Sequence, residues 1–442
     1  MKVRYQKYFT LAKEAGIEEL ELTISQSDSL SFSIFHKTVD SFNESHSCKL
    51  YARGIVNGKM GYATTENFGA NSASFIVRSI IENAGCNSSQ EAPVPFKEPC
   101  RHRHYDGYNP SLAALATSEK VNALKQLEDA IRNLDARISE VGGCQYEECA
   151  SELIIVNTRG LKLRDHSNYF VVYADAVAKM GEDTKSGYHI ELGNDFSSFH
   201  VDDFAQKVVD KTVRQLGGKP CKTGVYHAVL APSVVSSLLG ALISSLSAKE
   251  VQRHSSLMEG KLSQKVCSTK LTIKEEPLTK NVFYRSFDDE GTATKNKYLI
   301  KKGVLQTYLY NAETAQKDQV ESTGNGYRRG AKIGTQAINV RVLPGQKSEE
   351  ELFESMRNGI YITDVTGLHA GLNEKSGDFS LQAKGFLVED GKVTSPVNLI
   401  TIAGNLLTLF QGIKEIGNNN ELQMSSYSVP SISFHKLMVS GE

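Results

Sequence analysis

The sequence predicts an α+β protein: an α/β N-terminal region followed by a large β-rich, mainly antiparallel C-terminal domain with one buried helix. Three observations carry this. In the first half, stretches with apolar residues at helical spacing alternate with stretches of period two. Beyond Pro277 the punctuation is that of hairpins, with Lys302-Gly303 and Asp390-Gly391 each set between apolar runs. Between these halves, residues 231–247 are apolar on nearly all sides, which suits a helix inside a core. A chain of 442 residues suggests two or three domains.

Taken in order, residues 4–15 suit a helix, with Tyr5, Tyr8, Phe9 and Ala12 on one stripe and Gly16 as its stop. Leu20, Leu22 and Ile24 alternate with polar residues, as do Leu30, Phe32 and Ile34, and Ser25 to Ser29 is expected to turn the chain between them. Asn57-Gly58, both suited to positive φ, joins strands at 50–56 and 60–64. A helix at 71–83 completes a first sub-block, 1–86. Prolines at 93, 95, 99 and 110 mark 87–112 as an extended connector. The second sub-block, 113–218, begins with a helix at 118–138, where Val121, Leu124, Leu127, Ile131 and Leu134 share a face. Strands near 144–157, 161–178 and 187–193 follow, then a helix at 202–216 closed by Gly217-Gly218. The 1–218 region ends there and the second, 219–442, opens with a strand at 224–230 and the apolar helix, Pro232 in its first turn. A strand at 271–273, the two hairpins, short helices at 348–356 and 404–415, and a last strand through Ile432, Phe434 and Leu437 complete it.

Composition removes several functions. A formal charge of −1 gives no bulk attraction for nucleic acid or anionic membrane, and no apolar run reaches the roughly 18 residues of a membrane span. The N-terminus reads as a folded amphipathic helix rather than an export leader, so a cytoplasmic location is expected. Seven scattered cysteines suit reduced thiols. Cys100, His102 and His104 cluster in the connector but lack a fourth ligand, so an exposed basic loop is expected rather than a zinc site. There is no GxSxG elbow, no phosphate-binding GxxxxGK[ST] and no GxGxxG after a strand. Residues 323–330, TGNGYRRG, read as a turn whose backbone amides cap a carboxylate. Arg328 and Arg329 lack the wider basic field that nucleic acid would need.

A water-activating metallopeptidase needs two histidines one helical turn apart with a carboxylate between them. No histidine in this chain is followed by glutamate, and residues 231–247 hold no His, Glu, Asp or Cys. No catalytic residue and no metal ligand is therefore assigned. The candidate peptide-contact residues are Asp288 and Asp289 in the acidic cluster before Gly291, Thr323 and Asn325 in the Gly/Asn turn, and His369 and Asp378 in the stretch GLHAGLNEKSGDFS. His369, Glu374 and Asp378, joined by Asp288 or Asp289, would also be the ligands of a divalent-cation site.

FDDEGTATK at 287–295, LIKKGVLQTYLYN at 299–311, STGNGYR at 322–328, GLNEKSGDFSLQAKGFLVEDGK at 371–392, TIAGN at 401–405 with IGN at 416–418, and LYARGIVNGKMGYATTEN at 50–67 together resemble the TldD/PmbA family, and its PmbA (TldE) branch in particular. The resemblance implies a two-part architecture and dimers that enclose a cavity. It implies that the TldD branch binds zinc through an HExxxH helix and a later cysteine and cleaves small or unfolded peptides. PmbA-branch members pair with it; the two are implicated in processing peptide antibiotics and an antitoxin, and an older label is modulator of DNA gyrase. The HExxxH helix would fall within Ser233 to Leu246, where both histidines and the glutamate are missing, and no cysteine follows Cys267. The expectation is a non-catalytic subunit without its own cofactor, dimerised with a zinc-bearing TldD-type chain or with itself and contacting peptide. An autonomous metal-dependent peptidase and a regulator of DNA gyrase are the alternatives.

Overall fold

The computed structural model describes residues 4–88, 92–330 and 332–442. The first part is one six-stranded antiparallel sheet with helices over it. Helix α1 (Tyr5–Glu14) leads into β1 (Glu19–Phe35), β2 (Thr38–Val56), β3 (Lys59–Thr65) and α2 (Ser72–Gly85). After a short α3 (Pro110–Ala114) come α4 (Thr117–Leu134), β4 (Ile138–Asn157), β5 (Lys162–Met180), β6 (Asp183–Gly193) and α5 (Val201–Val213). The strand order is β3-β2-β1-β4-β5-β6, so strands from residues 19–65 and 138–193 share one ladder through β1 and β4.

Period two decides how that sheet is used. Successive side chains leave opposite faces of a strand. On β1, Leu20, Leu22 and Ile24 pack under α1 and α2, and Phe32 and Ile34 under α4 and α5. The odd positions, Glu21, Thr23 and Ser25, face away from these helices, toward the second part of the chain. This also corrects the turn expected at Ser25 to Ser29: β1 is continuous, and the reversal falls at His36 and Lys37, both at positive φ. The serines satisfy themselves sideways, with Ser27 Oγ 2.9 Å from Ser47 Oγ and Ser29 Oγ 2.7 Å from Ser45 Oγ. A polar run on both faces of an exposed ribbon resembles a turn in sequence and is a strand in space.

The helix expected to reach Ile138 ends at Leu134, because the Asp135 carboxylate turns back on the Arg137 amide (2.9 Å) and guanidinium, a local alternative to helical pairing. Ile138 opens β4 instead.

The second part begins with β7 (Gly224–Leu230), α6 (Pro232–Ser244) and α7 (Ala248–Gln252), then β8 (Ile273–Glu275), β9 (Lys297–Lys301) and β10 (Val304–Leu305). Helix α8 (Ala312–Lys317), unforeseen in the sequence, precedes β11 (Gly326–Arg329), β12 (Lys332–Thr335), β13 (Val340–Val342), α9 (Glu349–Met356) and β14 (Gly359–Thr366). The chain ends with α10 (Leu368–Gly371), β15 (Asp378–Glu389), β16 (Lys392–Asn405), α11 (Leu406–Gln411), β17 (Ile413–Ile416), β18 (Glu421–Leu422), β19 (Tyr427–Val429) and β20 (Ile432–Ser440). Two six-stranded sheets result, β16-β15-β14-β7-β20-β17 and β10-β9-β8-β13-β19-β18.

Between them lies the largest core, with α6 in it. Val234, Val235, Leu238, Leu239 and Leu242 are each at most 1% exposed. An all-round apolar helix can be accommodated only where every side has a protein neighbour, as here. The helix expected at 404–415 is shorter than its apolar pattern. Asn405 Oδ1 caps the Leu407 and Thr408 amides, α11 stops before Gly412, and Ile413 onward pairs with β20. The strand expected at 271–273 begins at Ile273, and the TGNGYRRG turn becomes β11, paired with β12. No helix among the described residues is long and apolar enough to cross a membrane.

Candidate functional site

The two parts meet at the acidic turn after Phe287. That ring, 1% exposed, is packed with Ile155, Leu161 and Leu163 of the N-terminal part. The chain then reverses at Gly291, φ +77°, where a Cβ would come within 2.5 Å of Leu161 Cδ2; only glycine meets both demands.

Each of the three carboxylates has its own task. Asp288 is fully buried: Oδ1 accepts the Glu290 and Thr292 amides (3.0 and 2.9 Å) and Oδ2 the Gly326 amide (2.9 Å). Burial, then the nearby Glu290, push its pKa up to about 8 against the pull of those three donors. Asp289 accepts Arg285 Nη2 and the Arg328 amide, both at 2.7 Å. The expectation that amides of this Gly-rich stretch cap carboxylates is met twice, by Gly326 and Arg328, from a strand rather than a turn.

Glu290 accepts the Ala312 amide (2.7 Å) and reaches Arg53 Nη1 at 3.3 Å; Arg53 Nε is 2.7 Å from Glu21 Oε1, with its guanidinium 5.0 Å from the Phe96 ring centre. Burial alone would lower Arg53, but the Glu21 and Glu290 carboxylates more than reverse that and raise it. Glu21 is itself raised, burial outweighing Arg53.

A cleft of about 590 Å³ opens beside this seam, lined among others by Thr23, Tyr51, Tyr169, Arg285, Asp289 and Arg328. Its floor is the helix-free face of the N-terminal sheet. Arg53 and Glu290 lie instead in the wall of a second cleft of about 510 Å³.

Four of the six candidate residues thus come together. Asp289 lines the cleft, while Thr323 and Asn325 support it from behind. Thr323 Oγ1 donates to Asn325 Oδ1 (2.7 Å), and Asn325 Nδ2 donates to Glu275 Oε1 (2.7 Å) and the Gln336 carbonyl (2.8 Å). His369 and Asp378 lie elsewhere and are exposed; Asp378 is held below its usual value by Asn405 and Ser376. Among the described residues, no three His, Cys, Asp or Glu side chains are grouped to hold a metal ion, so the cation site of His369, Glu374, Asp378 and the acidic turn does not assemble. Nor does α6 suit zinc, since its only polar side chains are serines. The Arg329 side chain lies outside the described residues.

Sequence reasoning missed Glu21, Thr23, Tyr51 and Arg53. A signal was present: charged Glu21 and Arg53 interrupt strands otherwise apolar enough to be buried.

Fold and site define a two-part α+β protein with a polar cleft between the parts. Profiles of the PmbA/TldA metallopeptidase central and C-terminal domains match residues 110–216 and 223–441, and the chain belongs to the TldD/PmbA metallopeptidase-related family. A Buchnera aphidicola protein named metalloprotease PmbA homolog is 29% identical over 311 residues, 66% of this chain and 67% of that one. A Thermotoga maritima crystal structure bearing a DNA-gyrase-modulator label superposes with TM-score 0.92 at 28% identity, covering 98% of this chain and 99% of its own. Thermococcus kodakarensis TldE, at 21% identity and TM-score 0.91 over 99% of both chains, shares the fold.

Proposed function

We propose that this chain is the non-catalytic, peptide-contacting subunit of a TldD/PmbA-type metallopeptidase pair, acting on small or unfolded peptides with a zinc-bearing TldD-type chain. The observation that carries this reading is α6. It occupies the stretch where the resemblance puts the HExxxH helix, and it bears only serine and apolar side chains. The chain's own contribution is a wall. Arg285 and Asp289 hold each other, Asp288 ties the acidic turn to β11, and Thr323 and Asn325 brace that strand, so the cleft is preorganised for an extended peptide. His369 and Asp378, on the exposed surface, are proposed as a second contact.

The name carried by the Buchnera relative favours an autonomous metalloprotease as second reading. One experiment separates the two: elemental analysis of the purified chain, with hydrolysis of an unstructured peptide mixture with and without chelator, alone and mixed with a TldD-type chain. We expect no stoichiometric metal and no cleavage alone, and chelator-sensitive cleavage in the mixture. One metal per chain with chelator-sensitive cleavage by the isolated chain would overturn the proposal. The gyrase-modulator label of the Thermotoga structure is addressed by gyrase supercoiling with added chain, where no change is expected.

A further inference from the structure

Four cations stand around the acidic turn, and among the described residues three have carboxylate partners. Arg53 has Glu21 and Glu290, Arg285 has Asp289 and Asp165, and Lys297 has Glu275. Arg328 has none. Its Nη2 donates to Thr23 Oγ1 at 3.2 Å, its Nε is buried without a hydrogen-bond partner, and the guanidinium sits 4.7 Å from the centre of the Tyr51 ring. Burial and then the like charge of Arg53 work against its ionised form, and the attraction of Asp289 and Glu21, neither in contact with the guanidinium, only partly offsets them. A guanidinium removed from water with no carboxylate in contact is costly, and its planar fork matches a carboxylate. Arg328 is also well placed: its amide is fixed by Asp289, its ring contact restricts the plane of the fork, and it lines the 590 Å³ cleft. Thr23, Ser25, Ser151 and Ser167 add hydroxyl donors to the lining; the other cation there, Arg285, is held by Asp289 and Asp165, and Glu152 is held by Arg164.

We propose that Arg328, stacked on Tyr51, is a carboxylate-recognition residue of the cleft and takes a carboxylate of the bound peptide. This rests on the peptide-contact reading above and deepens it by naming the group recognised. The carboxylate comes either from the peptide C-terminus or from an acidic side chain; the chemistry is shared and the test distinguishes them.

The test is fluorescence anisotropy of the full purified chain with three labelled, unstructured Ser/Ala peptides: one with a free C-terminus, one C-terminally amidated, and one amidated with an internal glutamate. The free-carboxylate peptide should bind about tenfold more tightly than the amidated one, the increment of a charge-assisted bidentate pair. Arg328→Gln should erase that difference, and Arg328→Lys should keep part of it, with melting curves showing both variants folded. If the glutamate peptide equals the free-carboxylate peptide, an acidic side chain serves; if it equals the amidated one, the C-terminus does. Either supports the assignment, provided Arg328→Gln removes the gain. Peptides that all bind alike, or a carboxylate gain that survives Arg328→Gln, would overturn it while leaving peptide contact standing. To separate the two readings, N-acetylglycine and its amide are compared by thermal shift. If no peptide binds yet N-acetylglycine alone raises the melting temperature, lost in Arg328→Gln, the peptide-contact reading fails and carboxylate recognition holds. If neither peptides nor N-acetylglycine act, both fail.

Discussion

Replacing Arg53 by methionine tests the seam most directly. Methionine keeps the aliphatic part of the side chain but removes the guanidinium, and with it both the contact with Phe96 and the charge between Glu21 and Glu290. Those side chains are 0% and 6% exposed, against 12% for Arg53. Breaking a buried pair by removing one partner costs about 3–5 kcal/mol, because the remaining charge stays desolvated. Here two carboxylates are orphaned at once, so the upper part of that range is expected at high pH. The sign with pH follows. Without Arg53, the folded-state pKa of Glu21, which burial already raises, stands further above the unfolded value of about 4.3, so Glu21 contributes stability that is fully present below that value and lost as pH rises through its folded pKa. The loss should therefore be larger at about pH 8 than at about pH 5. Urea unfolding followed by tyrosine emission reads it cleanly, since the chain has 18 tyrosines and no tryptophan. Adding Glu21→Gln and Glu290→Gln to Arg53→Met should restore most of the loss, as uncharged replacement of a buried ionic triad is often neutral or stabilising. A single-variant loss below about 1 kcal/mol, or one equal at the two pH values, would refute the reasoning.

Leu238→Ala, at a fully buried position of α6, should cost about 2–5 kcal/mol by urea unfolding, and an unchanged midpoint would remove α6 from the core. Asp288→Asn puts an amide NH₂ against one of three backbone donors and should cost about 1–3 kcal/mol. The folded Asp288 holds its proton up to about 8, so its contribution is full below the unfolded value and lost as pH rises toward 8; the variant's urea midpoint should decline less than the wild type's over that window, and parallel declines would contradict this. Dialysis of the isolated chain against a chelator should leave its melting temperature unchanged, whereas a fall would reveal a structural metal.

What could be read from the sequence was local. Asn57-Gly58, Lys302-Gly303 and Asp390-Gly391 all turn hairpins at positive φ, as their residue types require. Proline at the start of α6 and the all-round apolar pattern placed that helix and its burial. Failures came where polar residues answered to partners distant in sequence. The Ser25 to Ser29 run is a strand because Ser45 and Ser47 lie across from it, and the apolar pattern of 404–415 divides because β20 claims its second half. The acidic cluster was visible as a cluster. Its meaning was not, since Thr23 meets Arg328 across 305 positions and ionic pairing leaves no spacing signature.

Arg53 and Glu290 are 237 residues apart, and this sets a schedule for the newborn chain. At about 5–20 residues per second, roughly 12–50 s separate their emergence during synthesis. In the last part of that interval, after β6 has emerged at Gly193, the N-terminal sheet has β1–β6 in hand but presents Ile155, Leu161 and Leu163 uncovered, next to an arginine with one of its two acids. Phe287 and Glu290 then arrive three residues apart and close both openings together. Chaperone capture and proteolytic nicking of the nascent protein should concentrate in that interval, and release should follow the emergence of a single turn.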